Sequence, residues 1–145
     1  MQRVPISKYP NTFFRVSLKA VIENHKGEIL CVKEAGSEWT LPGGGLDHGE
    51  TVEQGLRREL FEEVALDQDE SFTLTPVGHD VMWVESRKAW QLWVIFRVSF
   101  DEIPLFSRGA DADDIAFINP RTFADSPWRA QQLIYKWLVD LPRYE

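Results

Sequence analysis

A mixed β-sheet covered by helices on its faces, an α+β fold, is what this sequence predicts. Three observations carry the expectation. β-branched and aromatic segments recur along the chain. Two other segments pair a helix-start signal with an apolar repeat of helical spacing. The two kinds follow one another as strands, helix, strands, helix. No repeat, low-complexity stretch or linker divides the chain, so one domain over residues 1–145 is expected.

The first strand is expected at 13–23, "FFRVSLKAVIE", and the second at 28–34, "EILCVKE". Between them "NHKGE" supplies a turn at Gly27, so the two strands read as a hairpin. Residues 39–50, "WTLPGGGLDHGE", read as a glycine-dense loop where backbone could approach a ligand closely. A helix should follow, with Thr51 as N-cap and Gln54 completing a capping box. Val52, Leu56, Leu60 and Val64 give it an apolar stripe. Gly55 costs that helix about 1 kcal/mol relative to alanine, which points to close packing there.

Segments 72–85 and 89–101 are expected to pair as antiparallel strands joined near "ESRKA", and 113–120 as a short further strand. A second helix over 126–142 should open on Ser126 as N-cap with Pro127 at its first position. Leu133, Ile134, Trp137, Leu138 and Leu141 would form its buried face, and Pro142 would end it.

Composition limits the functions available. Apolar residues at 43% and charged residues at 27% fit a soluble globular domain. A formal net charge of −7 argues against a nucleic-acid backbone or an anionic membrane as the main partner, since both need a basic face. A bound metal ion could still reverse the local sign and admit phosphates. Cys31 is the only cysteine, so an internal disulfide is excluded. Its apolar setting "ILCV" reads as a buried inert thiol. The start "MQRVPISKYPNTFF" has no apolar signal region and nothing approaches a membrane span, so a cytoplasmic protein is expected.

The chemistry concentrates in "RRELFEEV" at 57–64. On a helix, Glu59, Glu62 and Glu63 fall within a sector of roughly 100° that borders the apolar stripe. Like charges at these spacings repel. The plain reading is a solvated acidic face. The sharper reading is a hard dication neutralising the three carboxylates, since Mg²⁺ and Mn²⁺ prefer oxygen ligands. Spacing alone leaves both open.

The preceding loop decides. From Gly44 the chain runs "GGLDHGETVEQGLRRELFEEVAL". This resembles the Nudix box of the MutT-like hydrolases: a glycine, five residues, a glutamate, seven residues, then R-E-U-x-E-E-x-G-U with U a bulky aliphatic. Gly44, Glu50, Arg58, Glu59, Leu60, Glu62, Glu63 and Leu66 match over residues 44–66, and Ala65 stands where the pattern has glycine. That position is a helix end, so the departure bears on helix termination more than on chemistry.

The resemblance implies the Nudix fold, an α/β/α sandwich with a mixed sheet between helices. It implies hydrolysis of a nucleoside diphosphate linked to another moiety, assisted by Mg²⁺ or Mn²⁺, with a small nucleotide derivative as substrate. A nucleoside triphosphate releasing pyrophosphate and monophosphate is compatible, and a homodimer is left open. Carried onto this chain, the resemblance makes Glu59, Glu62, Glu63 and the Gly43 carbonyl metal ligands. Glu59 or Glu62 would be the general base, with Asp111, Asp113, Asp114 and Glu102 as alternatives in a later loop. Arg58 would hold a glutamate through a bidentate pair, with Glu50 as its partner. Arg57 has no role in the pattern and reads as solvent-facing.

Lys33 occupies a position where relatives often carry a basic residue toward substrate phosphate. Trp39, Trp83, Trp90 and Trp93 flank the expected cleft, and stacking on a base would contribute about 1–3 kcal/mol. At most one is expected to touch substrate, and Trp39 and Asp113 join Lys33 as the candidates. His25, His48 and His79 show no ligand spacing.

Markers of Nudix subfamilies are missing: Asp80 and Val81 stand where ADP-ribose hydrolases tend to carry proline. Met82 and Trp83 stand where dinucleoside-polyphosphate hydrolases tend to carry tyrosine. A nucleotide-binding sensor without turnover is the alternative, although a pure binder has no need of the whole glutamate set. A structural domain with an acidic helix would leave "PGGGLDHGE" unexplained.

Overall fold

The computed structural model describes residues 13–34 and 36–140, with Ser86 described by its backbone alone. In chain order the elements are β1 (Arg15–Val21), β2 (Ile29–Lys33), β3 (Gly43–Gly45), α1 (Val52–Val64), β4 (Thr73–Val84), β5 (Ala89–Ser99), β6 (Asp114–Ile118) and α2 (Arg129–Tyr135). One sheet runs β3-β1-β5-β4 and a two-stranded sheet pairs β2 with β6. Since β1 lies parallel to β5 and antiparallel to β3, the larger sheet is mixed.

Alternation along β1 separates two cores. Leu18, Ala20 and Ile22 pack with Leu56, Leu60 and Val64 of α1. Val21 points the other way and packs with Ile95, Ile134 and Leu138. The sheet is thus covered by α1 on one face and α2 on the other. Truncating a fully buried Leu56 or Leu60 to alanine would cost about 2–5 kcal/mol.

Helix α1 begins as expected, with the Thr51 side chain accepting from Gln54 N and the Gln54 side chain accepting from Thr51 N. Gly55 has the close packing its position suggested: a Cβ there would lie 2.9 Å from Leu46 Cδ1 and 3.2 Å from Leu18 Cδ1. Strands β4 and β5 pair antiparallel, with a register shift between Pro76 and Gly78. Proline lacks the N–H that a regular ladder needs, which accounts for the irregularity there.

Three expectations need correction. The hairpin of the first two strands forms only beside its turn, where Asn24 N donates to Glu28 O and Leu30 N to Ile22 O, both at 2.9 Å. Both edges of β1 are filled, by β3 and β5, so β2 leaves to pair with β6. The loop at 39–50 contains a strand, because Gly43–Gly45 lies against Lys19–Ser17. Finally, the second helix starts at Arg129 with Trp128 as N-cap, and Ser126 and Pro127 precede it. The Ser126 hydroxyl instead accepts from Trp128 N at 3.1 Å and donates to Gln131 Oε1 at 2.6 Å, a local turn that delays the helix. A π-helical turn, Lys136–Asp140, follows α2, and Leu141 and Pro142 lie outside the described residues. No helix among the described residues is long and apolar enough to cross a membrane.

Candidate active site

The box loop and α1 meet at β3. Glu50, just before the helix, and Arg58, two turns into it, face each other. Arg58 Nε and Nη2 donate to Glu50 Oε2 and Oε1 at 2.8 and 2.9 Å. Nη2 also donates to Gly45 O at 2.9 Å, and Nη1 reaches Glu59 Oε1 at 2.8 Å and Glu62 Oε2 at 3.4 Å. One guanidinium thus ties loop, strand and two glutamates together. Its bond to Glu50 raises the Arg58 pKa further above its ordinary value and lowers that of Glu50 to about 2.

The three glutamates differ in setting. Glu62 is half-exposed, Glu59 is mostly covered, and Glu63 is only 1% exposed. Glu63 Oε1 accepts from Gly43 N at 2.6 Å. Burial, reinforced by a hydrogen bond to the Glu34 carboxyl, pushes the Glu63 pKa up to about 9 against the opposing pull of Lys19 and the Gly43 N–H. Burial also raises Glu59, outweighing Arg58. A Cβ on Gly44 would lie 2.7 Å from the Glu59 carboxyl, so that glycine is what lets strand and carboxylate touch. As these side chains stand, no three carboxylate, imidazole or thiol groups among the described residues close into a metal cage. Arg58 draws Glu59 and Glu62 one way, while Gly43 and Glu34 hold Glu63 the other.

A loop locks the far end of α1. Ser107, Gly109 and Asp111 donate their backbone N–H groups to the carbonyls of Val64, Glu63 and Glu62 at 3.2, 2.9 and 2.9 Å. These are helix-end carbonyls with no partner inside the helix. The same loop carries Asp111 and Asp113 and runs into β6 at Asp114, all three exposed.

Lys33, Trp39 and Asp113 come together. Lys33 Nζ sits 4.8 Å from the centre of the Trp39 ring, and Asp113 N donates to Lys33 O at 2.8 Å. Gln131 of α2 fixes the Trp39 backbone through its carbonyl at 3.0 Å. The other tryptophans divide. Trp83 and Trp90 form an exposed edge-to-face pair, ring centres 5.9 Å apart, while Trp93 is buried with its Nε1 on Gln91 Oε1 at 3.2 Å. His25, His48 and His79 are all exposed.

Arg57 corrects its expectation. It lies 4.3 Å over the Phe72 ring and donates to Glu70 O at 2.5 Å and Gln68 O at 3.2 Å, pinning the chain that leaves α1. The guanidinium plane stacks on the aromatic face while its N–H groups satisfy the two carbonyls.

Sequence reasoning missed Lys19 and Glu34. Lys19 is 8% exposed and donates to the Gly43 carbonyl at 3.3 Å, with its ammonium 4.9 Å from the Trp93 ring centre. Burial lowers its pKa, while Glu63, Glu34 and Glu59 pull the other way. The available signal was a lone lysine inside the strand "RVSLKAV", at a position that alternation buries.

The family model described as NUDIX domain matches residues 13–139. The RNA pyrophosphohydrolase of Tolumonas auensis is 45% identical over 58 residues, 39% of this chain and 33% of that protein. The chain therefore spans about a third of that relative's length. The isopentenyl-diphosphate Delta-isomerase of Corynebacterium diphtheriae is 26% identical over 148 residues, covering 88% of this chain and 81% of that protein. The solved structure of the E. coli dihydroneopterin triphosphate pyrophosphohydrolase superposes with a TM-score of 0.70 at 18% identity, covering 90% of this chain and 100% of that one. That likeness is one of fold.

Proposed function

The chain belongs to the Nudix family, and from that premise we propose that it is a cytoplasmic, metal-dependent hydrolase. It cleaves the diphosphate bond of a nucleoside diphosphate linked to another moiety, a nucleoside triphosphate included. The residues present fit a hard divalent cation. The donors at hand are carboxylates and the Gly43 carbonyl, all oxygen. Burial disfavours the charged form of the Glu63 carboxyl, a cost that a bound cation would offset. Glu59, Glu62, Glu63 and the Gly43 carbonyl would hold Mg²⁺ or Mn²⁺. When bound, the ion neutralises the diphosphate and acidifies water.

The protein's own part is positioning and proton transfer. Arg58 fixes Glu59 and Glu62 relative to Glu50 and the β3 backbone. Water attacks phosphorus, the anhydride P–O bond breaks toward the leaving phosphate, and Glu59 or Glu62 takes the water's proton. Lys33 and Trp39 supply charge and an aromatic face for the substrate, and Asp113 borders them.

The observation that carries this reading is the contact of α1's carboxylates with consecutive β3 glycines, Glu63 on Gly43 N and Glu59 on Gly44. A panel of nucleotides, with isopentenyl diphosphate added because a relative bears that isomerase name, tests it. Release of phosphate or nucleoside monophosphate should require Mg²⁺. Glu59→Gln should abolish release while nucleotide binding persists. Turnover that survives EDTA, or is unaltered in Glu59→Gln, overturns the reading. Nucleotide binding without any turnover would favour a sensor.

A further inference from the structure

Lys19 has no part in the mechanism above, yet it is a buried ammonium beside the proposed ligands. β3 lies against β1 with Gly43 directly opposite Lys19. The ammonium donates to the Gly43 carbonyl at 3.3 Å. Glu63, Glu34 and Glu59 attract it electrostatically, and the Trp93 ring centre lies 4.9 Å away. The N–H of the same residue, Gly43, donates to Glu63 Oε1 at 2.6 Å. A divalent ion needs oxygen donors, and the Gly43 carbonyl, whose residue and neighbour touch Glu63 and Glu59, here accepts from the lysine head.

We propose that Lys19 is a built-in counter-cation which holds the Gly43 carbonyl beside Glu59 and Glu63 until a divalent ion displaces it, and which thereby sets the metal affinity. The inference rests on the reading of Gly43 and the glutamates as ligands. An ammonium and a dication cannot share one carbonyl at contact distance, because like charges repel most strongly where water is excluded. The four-carbon stem of lysine lets the head move without shifting the strand. The Trp93 face offers a place to which the displaced ammonium can retreat while remaining attracted.

Mn²⁺ titration of the metal-free protein, read by electron paramagnetic resonance, separates the outcomes. Lys19→Met should bind Mn²⁺ on the order of tenfold more tightly than the unaltered protein, the scale typical of coupled ligands. A purely structural lysine predicts no gain, since removing it would only loosen the Gly43 carbonyl that it holds. Unchanged or weaker binding in Lys19→Met therefore overturns the inference. Should that variant not fold, the unaltered protein still decides. The lysine Nζ–H resonance that shows contacts to the Trp93 ring should shift on saturation with Mg²⁺, and a resonance that does not move overturns the inference. Mn²⁺ binding that is absent, or that persists in both Glu59→Gln and Glu63→Gln, removes the ligand assignment and the inference together. Binding that depends on the glutamates but is no tighter in Lys19→Met removes the inference alone.

Discussion

The Glu50 carboxylate grips the Arg58 guanidinium at two points, Oε2 to Nε at 2.8 Å and Oε1 to Nη2 at 2.9 Å. Lysine keeps the charge but has no planar fork to match a carboxylate. Arg58→Lys is therefore expected to lower turnover by about 10–100-fold, the usual effect of losing a group that orients metal ligands. The check is steady-state kinetics at saturating Mg²⁺.

The same pair predicts a pH dependence of stability. Arg58 lowers the Glu50 pKa from its ordinary 4.5 to about 2. A carboxylate whose folded pKa is depressed contributes stability that is fully present above its unfolded pKa and is lost as pH falls through the folded one. Glu50→Gln should lower the melting temperature by a constant amount above about pH 5, and the difference should shrink toward pH 2. Thermal melts of both proteins across that range test it. A difference that stays constant down to pH 2 would contradict the pairing.

Adjacent glycines should fail in different ways. The atoms nearest a Cβ on Gly44 would be those of the Glu59 carboxyl, at 2.7 Å, the end of a side chain that can swing aside. A Cβ on Gly43 would lie 1.9 Å from the Leu18 carbonyl oxygen, and the residue's φ of 135° is one that L side chains rarely adopt. Gly44→Ala should keep its fold and lose about 10–100-fold in Mn²⁺ affinity as Glu59 is displaced. Gly43→Ala should lose about 2 kcal/mol or more of stability. Urea unfolding beside Mn²⁺ titration distinguishes the two.

What the sequence disclosed was local. Thr51 and Gln54 mark the start of α1 because a capping box lies within four residues, and the aromatic runs of β4 and β5 are joined by a short turn. The box residues carried their own spacing. Hidden were the choices that depend on distant partners. Nothing near β2 says that it will pair with β6, some eighty residues on, rather than with β1. Lys19 and Glu34 reach the candidate site by strand register and chain path alone, with no motif of their own.

Cys31 offers a test of the sheet's interior. It has no exposed surface, and burial pushes its thiol pKa up to about 12. Only the thiolate reacts with disulfide reagents. Native protein at pH 8 should therefore leave Ellman's reagent unreacted over hours, and denatured protein should release one equivalent of thionitrobenzoate at once. Fast reaction of the native protein would mean that β2 opens far more readily than its pairing with β6 suggests.

Ala65 is the one departure from the box, and its backbone shows what the departure costs. It closes α1 in the left-handed region, φ 55° and ψ 36°. Its N–H donates to Phe61 O and that of Leu66 to Leu60 O, both at 3.2 Å, the paired closure that a glycine at this position usually makes. An L side chain there costs roughly 1–2 kcal/mol that glycine does not pay. Glycine also gives up more freedom on folding, which takes back part of the gain. Ala65→Gly is thus expected to stabilise the protein by about 1 kcal/mol net, seen as a higher urea midpoint with an unchanged slope. Turnover should stay the same, because the Ala65 side chain points to solvent and the hydrogen bonds that fix Glu62 and Glu63 are made by the backbone. A loss of stability would show that the helix end relaxes around alanine and that the left-handed geometry carries little strain.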